Sequence, residues 1–222
     1  MKINHVYDPW HHLQVEDFLP PDEFDEIKRL ALIEYDTFRN EGVNCIYNDV
    51  DSWKRKKYAN RSKYVRFLSE DILPSTNQFF RMLPEHRGFS GDLKKVIHWS
   101  IQPENHVYPN HIDNAPRINT CTFYIWPEEN VGTILCDNPS KNDDGDHSES
   151  DQESKREVEV EWKPNKLFVH NSIPNKTWHR YQCVNPRIVL SLFLVQPDLI
   201  RKGRIDSNYL IDVDSKYYED IL

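Results

Sequence analysis

The sequence contains no long apolar stretch and no apolar leader segment. A membrane-spanning helix needs roughly 18 or more consecutive apolar residues, and only 38% of the 222 residues are apolar, in short runs. The N-terminal residues 1–12 lack the apolar centre of a secretory signal. We therefore expect a cytoplasmic protein that does not act in a membrane.

Cysteine is scarce, and its spacing forms no motif. The chain has four cysteines, none of them in a CxxC pair: Cys45, Cys121, Cys136 and Cys183. Disulfide scaffolds and cysteine zinc clusters need closer or repeated pairs, so the sequence argues against both and favours a reducing compartment.

The chain has no general excess of positive charge. Its formal net charge of −8 argues against a general nucleic-acid or anionic-lipid binder. Two blocks depart from this average, because residues 54–66 carry a charge of +7 and residues 138–161 carry −6. The basic block either binds a nucleic acid or an acidic peptide, or forms a solvated face or pairs with the acidic loop 143–153. The sequence leaves both readings open.

The order of elements predicts a short helical entry followed by a β-rich core. Residues 12–19 alternate as a strand does, Pro20 and Pro21 open a helix, and a second helix is expected over 62–83. After residue 92, runs rich in β-branched and aromatic residues are separated by Pro, Gly and Asn, which predicts an antiparallel sandwich or barrel. The runs are VIHWSIQP, INTCTFYIWP, GTILCD, EVEVEW, KLFVHN, KTWHRYQC and RIVLSLFLVQP.

The length fits one domain in three parts. Residues 1–91 are expected to supply a strand and helices that pack on the core, which spans residues 92–200. Residues 138–155 interrupt this core with a polar, acidic insertion that we expect to be mobile, since it has almost no apolar surface to bury. Residues 201–222 form a C-terminal tail.

His111 and Asp113 stand two residues apart at the end of a predicted strand. Side chains two apart on an extended backbone project to the same side, so one metal could bind both. His179, 66 residues after Asp113 and at the end of another predicted strand, is the best third ligand. Two imidazoles and one carboxylate form the facial triad of non-haem iron(II) oxygenases.

Arg187 opens the otherwise apolar strand RIVLSLFLV. If its side chain is buried, it needs an anionic partner, and the hydroxyl of Ser191 on the same face could help to hold a carboxylate. Alternatively, Arg187 marks the exposed start of the strand and pairs with a surface acid.

These motifs occur in a familiar order between Val96 and Val195. The strings are YPNHIDN, RINTCTFYIW, GTIL, KPNKLFVHN, TWHRY and RIVLSLF, spread over about 100 residues. In this order the region resembles the catalytic core of the iron(II)/2-oxoglutarate-dependent dioxygenases, and within them the prolyl 4-hydroxylase type. The entry segment VEDFLPPDEFDEIKRLA is also similar to that family's usual first strand and helix.

The resemblance implies a mainly β fold with flanking helices around a double-stranded β-helix core of the jelly-roll, cupin-like kind. It implies that His111, Asp113 and His179 hold Fe(II), and that Arg187 pairs with the distal carboxylate of 2-oxoglutarate. Tyr124 would donate its hydroxyl to the same carboxylate, although without the family pattern Tyr124 would be read as a core aromatic. Dioxygen is the further co-substrate, and ascorbate is the expected reductant.

Three other positions bear on the co-substrate or on the fit to the family. Gln102 stands about where the family often has a polar or tyrosine residue near 2-oxoglutarate. Val189 replaces the family's usual serine or threonine, and Ser191 is the nearest substitute on that face. Val131 stands where the family often has the first of two glycines. None of these departures removes a metal ligand.

The substrate is expected to be a protein, a peptide or an amino-acid-like small molecule, and the sequence predicts no oligomeric state. A nucleic-acid demethylase fits less well, because such enzymes have a second arginine six residues after the first and this chain has Phe193 there. Two other classes remain as alternatives. One is a β-helix module that binds a metal or ligand without turnover, and the other is a zinc enzyme, in which Arg187 would have no role.

Overall fold

A computed structural model describes most of the predicted core and entry segment. The described residues are 1–40, 46–48, 78–79, 82–83, 94–113, 117–137, 149–150, 156–173 and 176–195. Within them the chain forms one helix and twelve strands. These are β1 (Lys2–Val6), β2 (His12–Glu16), α1 (Pro21–Asn40), β3 (Ile46–Asn48), β4 (Lys94–Gln102), β5 (Val107–His111), β6 (Arg117–Trp126), β7 (Thr133–Cys136), β8 (Glu149–Ser150), β9 (Glu157–Val160), β10 (Leu167–Asn171), β11 (His179–Gln182) and β12 (Arg187–Val195).

The strands form two antiparallel sheets. The seven-stranded sheet has the order β1-β2-β10-β6-β12-β4-β3, and the five-stranded sheet has the order β8-β5-β11-β7-β9. A buried apolar cluster joins the sheets, since it contains Tyr124 and Val189 from the larger sheet and Leu135 and Val160 from the smaller one. The mainly β, double-stranded β-helix prediction is confirmed.

Alternation along β6 and β12 separates the two faces of the larger sheet. Cys121, Phe123 and Ile125 of β6 point to the outer face, together with Ile188 and Leu190 of β12. Successive strand residues point to opposite faces, so the residues between them face the smaller sheet. Thr120 and Thr122 of β6, and Arg187 and Ser191 of β12, therefore lie between the sheets.

Helix α1 covers the outer face of the larger sheet. Phe24, Ile27, Leu30 and Ala31 recur at helical spacing, and all four are buried against that face. The helix begins at Pro21, where a missing N–H costs nothing. The predicted first helix is thus confirmed, and its packing holds the sheet from outside.

The seven runs predicted as strands all occur as strands, with shifted ends. The sequence did not predict β1, β3 or β8. Of the helix predicted over 62–83, only residues 78–79 and 82–83 are described, and the first pair is helical. Of the acidic insertion 138–155, only residues 149–150 are described, and they form β8.

Two predicted features fall outside the described residues: the basic block 54–66 and the tail 201–222. The division into an entry segment, a core and a tail stays a prediction. The helix in the described part of the chain is too polar to cross a membrane.

Candidate metal centre

His111 and His179 lie opposite each other on neighbouring strands of the five-stranded sheet. Strand β5 ends at His111, β11 begins at His179, and the antiparallel register pairs the two residues. Their ring centroids are 4.2 Å apart. Asp113 follows two residues after His111, and one possible ligand atom from each of the three side chains lies within 4.8 Å of the others. The structure thus brings together the three predicted ligands, and all three are buried.

Backbone carbonyls orient both imidazoles. Nδ1 of His111 lies 3.0 Å from the carbonyl oxygen of Pro109, and Nδ1 of His179 lies 3.0 Å from that of Thr177. A carbonyl oxygen only accepts, so each Nδ1 carries the hydrogen and donates it. Each ring then keeps the lone pair of Nε2 for a metal ion. Such bonds from the distal ring nitrogen are what holds metal-binding histidines in place.

The carboxylate of Asp113 is bound at both oxygens. Arg117 Nη1 donates to Oδ1 at 2.6 Å, and the hydroxyls of Thr120 and Ser172 donate to Oδ2 at 2.5 and 3.2 Å. Burial alone would raise the pKa of Asp113, but the Arg117 guanidinium holds it well below its usual value. Asp113 is therefore an ionised ligand with a fixed orientation.

A third histidine, His170, lies behind this group. It is fully buried, its ring centroid is 5.0 Å from that of His179, and its Nε2 lies 3.8 Å from Asp113 Oδ2. Nδ1 donates to the carbonyl of Asn171. Burial lowers the pKa of His170 to about 3, so the ring is neutral. The sequence did not reveal its proximity to Asp113, which arises from the pairing of β10 with β6.

A cavity of about 290 Å³ opens from the three ligands into the space between the sheets. Its walls come from β4, β6 and β12 of the larger sheet and from β5, β7 and β11 of the smaller one. The lining residues are Ser100, Gln102, Tyr108, His111, Asp113, Arg117, Thr120, Thr122, Thr133, His179, Tyr181, Arg187, Val189, Ser191 and Phe193.

Arg187 is buried in the wall of this cavity, with 2% of its surface exposed. The alternative of an exposed strand start is therefore wrong. Its Nε donates to Gln102 Oε1, and its guanidinium carbon lies 3.9 Å from the centre of the Tyr181 ring. Its Nη1 is buried and has no hydrogen-bond partner among the described residues. A buried cation with an unused donor favours an anionic ligand.

Gln102 connects Arg187 to two hydroxyl groups. Because the Gln102 oxygen accepts from Arg187, its amide nitrogen is the donor to Ser100 Oγ at 2.9 Å and to the Tyr181 hydroxyl oxygen at 2.5 Å. Gln102 lines the cavity wall and accepts a hydrogen bond from Arg187. Its predicted position next to the co-substrate stays a prediction. Ser191, the other predicted contact, is half-buried and lines the same cavity.

Tyr124 lies behind the cavity wall. Its side chain is fully buried, its ring stacks on Trp162 with centroids 4.6 Å apart, and its hydroxyl donates to Thr133 Oγ1 at 2.8 Å. The Thr133 N–H in turn donates to the Tyr124 oxygen at 3.0 Å. Thr133, rather than Tyr124, is the residue that lines the cavity. The direct contact of Tyr124 with 2-oxoglutarate stays a prediction.

Several lining residues gave no clear signal in the sequence. Thr120 and Thr122 lie on the inward face of β6, which the alternation of apolar residues in RINTCTFYIW could have indicated. Tyr181, Thr133 and Ser100 come from three separate strands. Only the pairing of those strands brings them near Arg187.

Comparisons with known proteins give a fold but no close relative. No protein-family model matches the chain, and no curated protein matches it significantly by sequence. Among solved structures, a prolyl hydroxylase from Trichoplax adhaerens in complex with a hypoxia inducible factor oxygen degradation domain peptide fragment is similar, with a TM-score of 0.55 and 15% identity. The match covers 86% of each chain.

Two further solved structures are similar to the same extent. The epimerase SnoN, solved with Fe3+, alpha ketoglutarate and nogalamycin RO, has a TM-score of 0.55 and 11% identity over 83% of this chain and 78% of that one. AviO1 from Streptomyces viridochromogenes Tue57 has a TM-score of 0.55 and 12% identity over 84% of this chain and 90% of that one. The chain therefore has the double-stranded β-helix fold of the 2-oxoglutarate oxygenases, in a form like that of the prolyl hydroxylases.

Proposed function

We propose that the chain is an iron(II)- and 2-oxoglutarate-dependent dioxygenase that hydroxylates a peptidyl or amino-acid-like substrate. In this reaction 2-oxoglutarate would be decarboxylated to succinate. The observation that carries the proposal is that the buried Arg187, with its unused Nη1, lines the same cavity as the three converging ligands. A metal site alone would not need this cation.

The donor set fits iron(II). His111 and His179 present neutral Nε2 atoms, and Asp113 presents an ionised carboxylate, which together match a facial triad that leaves positions open for other ligands. The triad and its metal ion would carry a net charge of about +1, because the two imidazoles are neutral and the carboxylate offsets one of the two charges on iron(II). A dianionic co-substrate suits this charge together with that of Arg187.

The cavity also fits a small dicarboxylate. Its volume of about 290 Å³ is at the lower end for ligand pockets, and it contains the metal ligands and Arg187. One carboxylate and the adjacent oxo group of 2-oxoglutarate would face the ligands, and the second carboxylate would face Arg187. We assign Gln102 the role of holding Arg187 in place, and Ser191 a place on the cavity wall.

Bound iron would supply the one-electron chemistry with dioxygen that amino-acid side chains lack. The protein itself holds the three ligand side chains in position. Thr120 and Ser172 orient Asp113, and the carbonyls of Pro109 and Thr177 fix the two imidazole tautomers.

The substrate class is proposed from the resemblance and from the matched structures. The Trichoplax enzyme was solved with a peptide, and SnoN with nogalamycin RO. A prolyl residue in a peptide is our first choice for this chain, and a free amino acid or another small molecule is the second. A panel of peptides and amino acids, each scored for stimulated release of succinate, would identify it.

The test begins without oxygen. Protein reconstituted with iron(II) and 2-oxoglutarate should develop the weak visible charge-transfer band of the chelate, and then form succinate when oxygen is admitted. His111→Ala and His179→Ala should abolish the band, whereas Arg187→Ala should weaken 2-oxoglutarate binding more than metal binding. Folded protein that gives neither band nor succinate would contradict the proposal and favour a binding module. Succinate formation with zinc in place of iron would also contradict it.

A further inference from the structure

A pair of histidines lies at the outer edge of the seven-stranded sheet, apart from the three predicted metal ligands. Strand β1 is the last strand of that sheet, and its His5 pairs with Leu13 of β2. His11 stands two residues before Leu13, which makes it a diagonal neighbour of His5. Nδ1 of His5 lies 3.2 Å from Nε2 of His11, and both rings reach the surface, since His5 is exposed and His11 is half-buried.

The neighbouring residues hold the His11 ring in place. Tyr7 stacks on it, with ring centroids 4.4 Å apart and ring planes 12° from parallel. Trp10 and His12, on either side of His11 in the chain, are both buried, and Nδ1 of His12 donates to the carbonyl of Trp10. The backbone of His5 is fixed by the pairing of β1 with β2. The fold therefore brings the two imidazoles together, and a shared ligand would require little further ordering of the chain.

The distance between the two nitrogens suits a single metal ion. Zinc binds imidazole nitrogen at about 2.0–2.1 Å, so two nitrogens on one tetrahedral zinc ion lie about 3.3–3.4 Å apart. The hydrogen bond between His5 and His11 has nearly this length. In that bond one nitrogen donates its hydrogen and the other accepts it. A zinc ion would replace the shared hydrogen after a rotation of the exposed His5 side chain, without movement of either strand.

The pair offers two protein ligands and leaves the other coordination positions to water. Imidazole is a ligand that suits zinc, copper and nickel ions alike. In the part of the chain that the structure describes, no further histidine, cysteine, aspartate or glutamate completes a cluster of three with His5 and His11. Asp8, between the two histidines in the chain, forms an ion pair with Arg156. The ligand class is therefore a divalent transition-metal ion that tolerates water in its coordination shell.

We propose that His5 and His11 form a second metal site, which binds zinc(II) or another divalent transition-metal ion through two imidazoles. The site is separate from the proposed iron centre, and it does not depend on the proposed function. A bound ion would tie the edge strand β1 to the segment that enters β2. It would also give metal-reconstituted protein a second bound ion per chain.

The experiment measures zinc binding at the two places independently. Metal-free protein is titrated by calorimetry with micromolar zinc chloride, and the bound zinc is counted after dialysis. His5→Asn and His11→Asn each remove one imidazole of the pair, and His111→Ala removes one of the predicted triad. His106→Asn is the matched control, because His106 belongs to neither group. Circular dichroism checks that each variant is folded.

Wild-type protein should bind two zinc ions per chain. His5→Asn and His11→Asn should each retain one ion, with the affinity of the lost site reduced at least about tenfold. His111→Ala should lose the other ion and keep this one, and His106→Asn should keep both. In the His111→Ala protein, zinc should raise the melting temperature, and a further His5→Asn change should remove that rise.

A second zinc ion that stays bound in both His5→Asn and His11→Asn would overturn the inference, because the ion would then lie elsewhere. Binding by the pair only at millimolar zinc would overturn it too. Wild-type protein that binds one zinc ion, lost in His5→Asn and kept in His111→Ala, would support this site and contradict the predicted triad. One ion with the opposite pattern would overturn this site and leave the proposed function intact.

Discussion

The guanidinium carbon of Arg187 lies over the ring of Tyr181, 3.9 Å from the ring centre. The contacts continue from Tyr181 towards the three predicted metal ligands, because Tyr181 stacks on Tyr108 and Tyr108 packs edge-on against His111. A row of rings thus links the charged end of the cavity to a metal ligand. Cation–π contacts of this kind fix an arginine without neutralising its charge.

Substitution of Tyr181 should therefore separate the contribution of its ring to 2-oxoglutarate binding from that of its hydroxyl. Tyr181→Phe keeps the ring under Arg187, so we expect 2-oxoglutarate binding within about threefold of the wild type. Tyr181→Leu removes the ring and should weaken binding about tenfold, since Arg187 loses its support. Calorimetry on manganese(II)-loaded protein measures both. Equal affinities in Tyr181→Leu and the wild type would show that the contact does not hold the arginine.

Two substitutions of Gln102 should separate its effect on the stability of the fold from its effect on 2-oxoglutarate binding. Gln102→Leu leaves the buried Nε of Arg187 without an acceptor, and should lower the free energy of unfolding by about 1–3 kcal/mol. Gln102→Glu keeps an acceptor and adds a negative charge that competes with the co-substrate for Arg187. We expect this variant to remain stable but to bind 2-oxoglutarate at least about tenfold more weakly. Urea unfolding and calorimetry give the two values, and tighter binding in Gln102→Glu would contradict the charge argument.

Cys136 should resist alkylation in the folded protein. Its thiol is fully buried, and this burial, with a smaller effect of Glu157, raises its pKa to about 12. At about pH 8, only about one thiol in ten thousand would be ionised, and the thiolate is the reactive form. Peptide mapping after iodoacetamide treatment should find Cys136 unmodified in native protein and modified in urea. Equal modification in both conditions would contradict this burial.

Stability should fall in mild acid because His12 is buried as a neutral ring. Burial lowers the pKa of His12, so between its folded value and the unfolded value of about 6.5 the unfolded chain binds more protons. Its contribution is complete above about pH 6.5 and is lost as the pH falls below it, by at most about 1.4 kcal/mol per pH unit. His12→Asn, which cannot titrate, should lose less stability in urea unfolding between about pH 7 and pH 5. If the free energy of unfolding changed equally with pH in the wild type and in His12→Asn, this role of His12 would be wrong.

The convergence of His111, Asp113 and His179 was the part of the site that the sequence predicted best. His111 and Asp113 are two residues apart, and an extended backbone places both on one side. His179 could be proposed only as a candidate from the residues themselves, and the family resemblance added weight to it. Its register with His111 depends on pairing across 68 residues, which local periodicity does not determine.

The surroundings of Arg187 could not be predicted in the same way. Gln102 and Tyr181 contact it from β4 and β11, Thr133 lines the same cavity from β7, and no short motif links those strands. The acidic insertion shows a second limit. Its composition predicts an unstructured segment, yet residues 149–150 pair with β5, because backbone hydrogen bonds do not depend on apolar side chains.

The division of the site between two sheets has a thermodynamic consequence. The metal ligands His111 and His179 lie in the five-stranded sheet, and Arg187 lies in the seven-stranded one. Under the proposed function, a bound dicarboxylate would act as a cross-link between the halves of the sandwich. The melting temperature of metal-loaded protein should then climb with 2-oxoglutarate concentration, and 2-oxopentanoate, which reaches only one half, should raise it less.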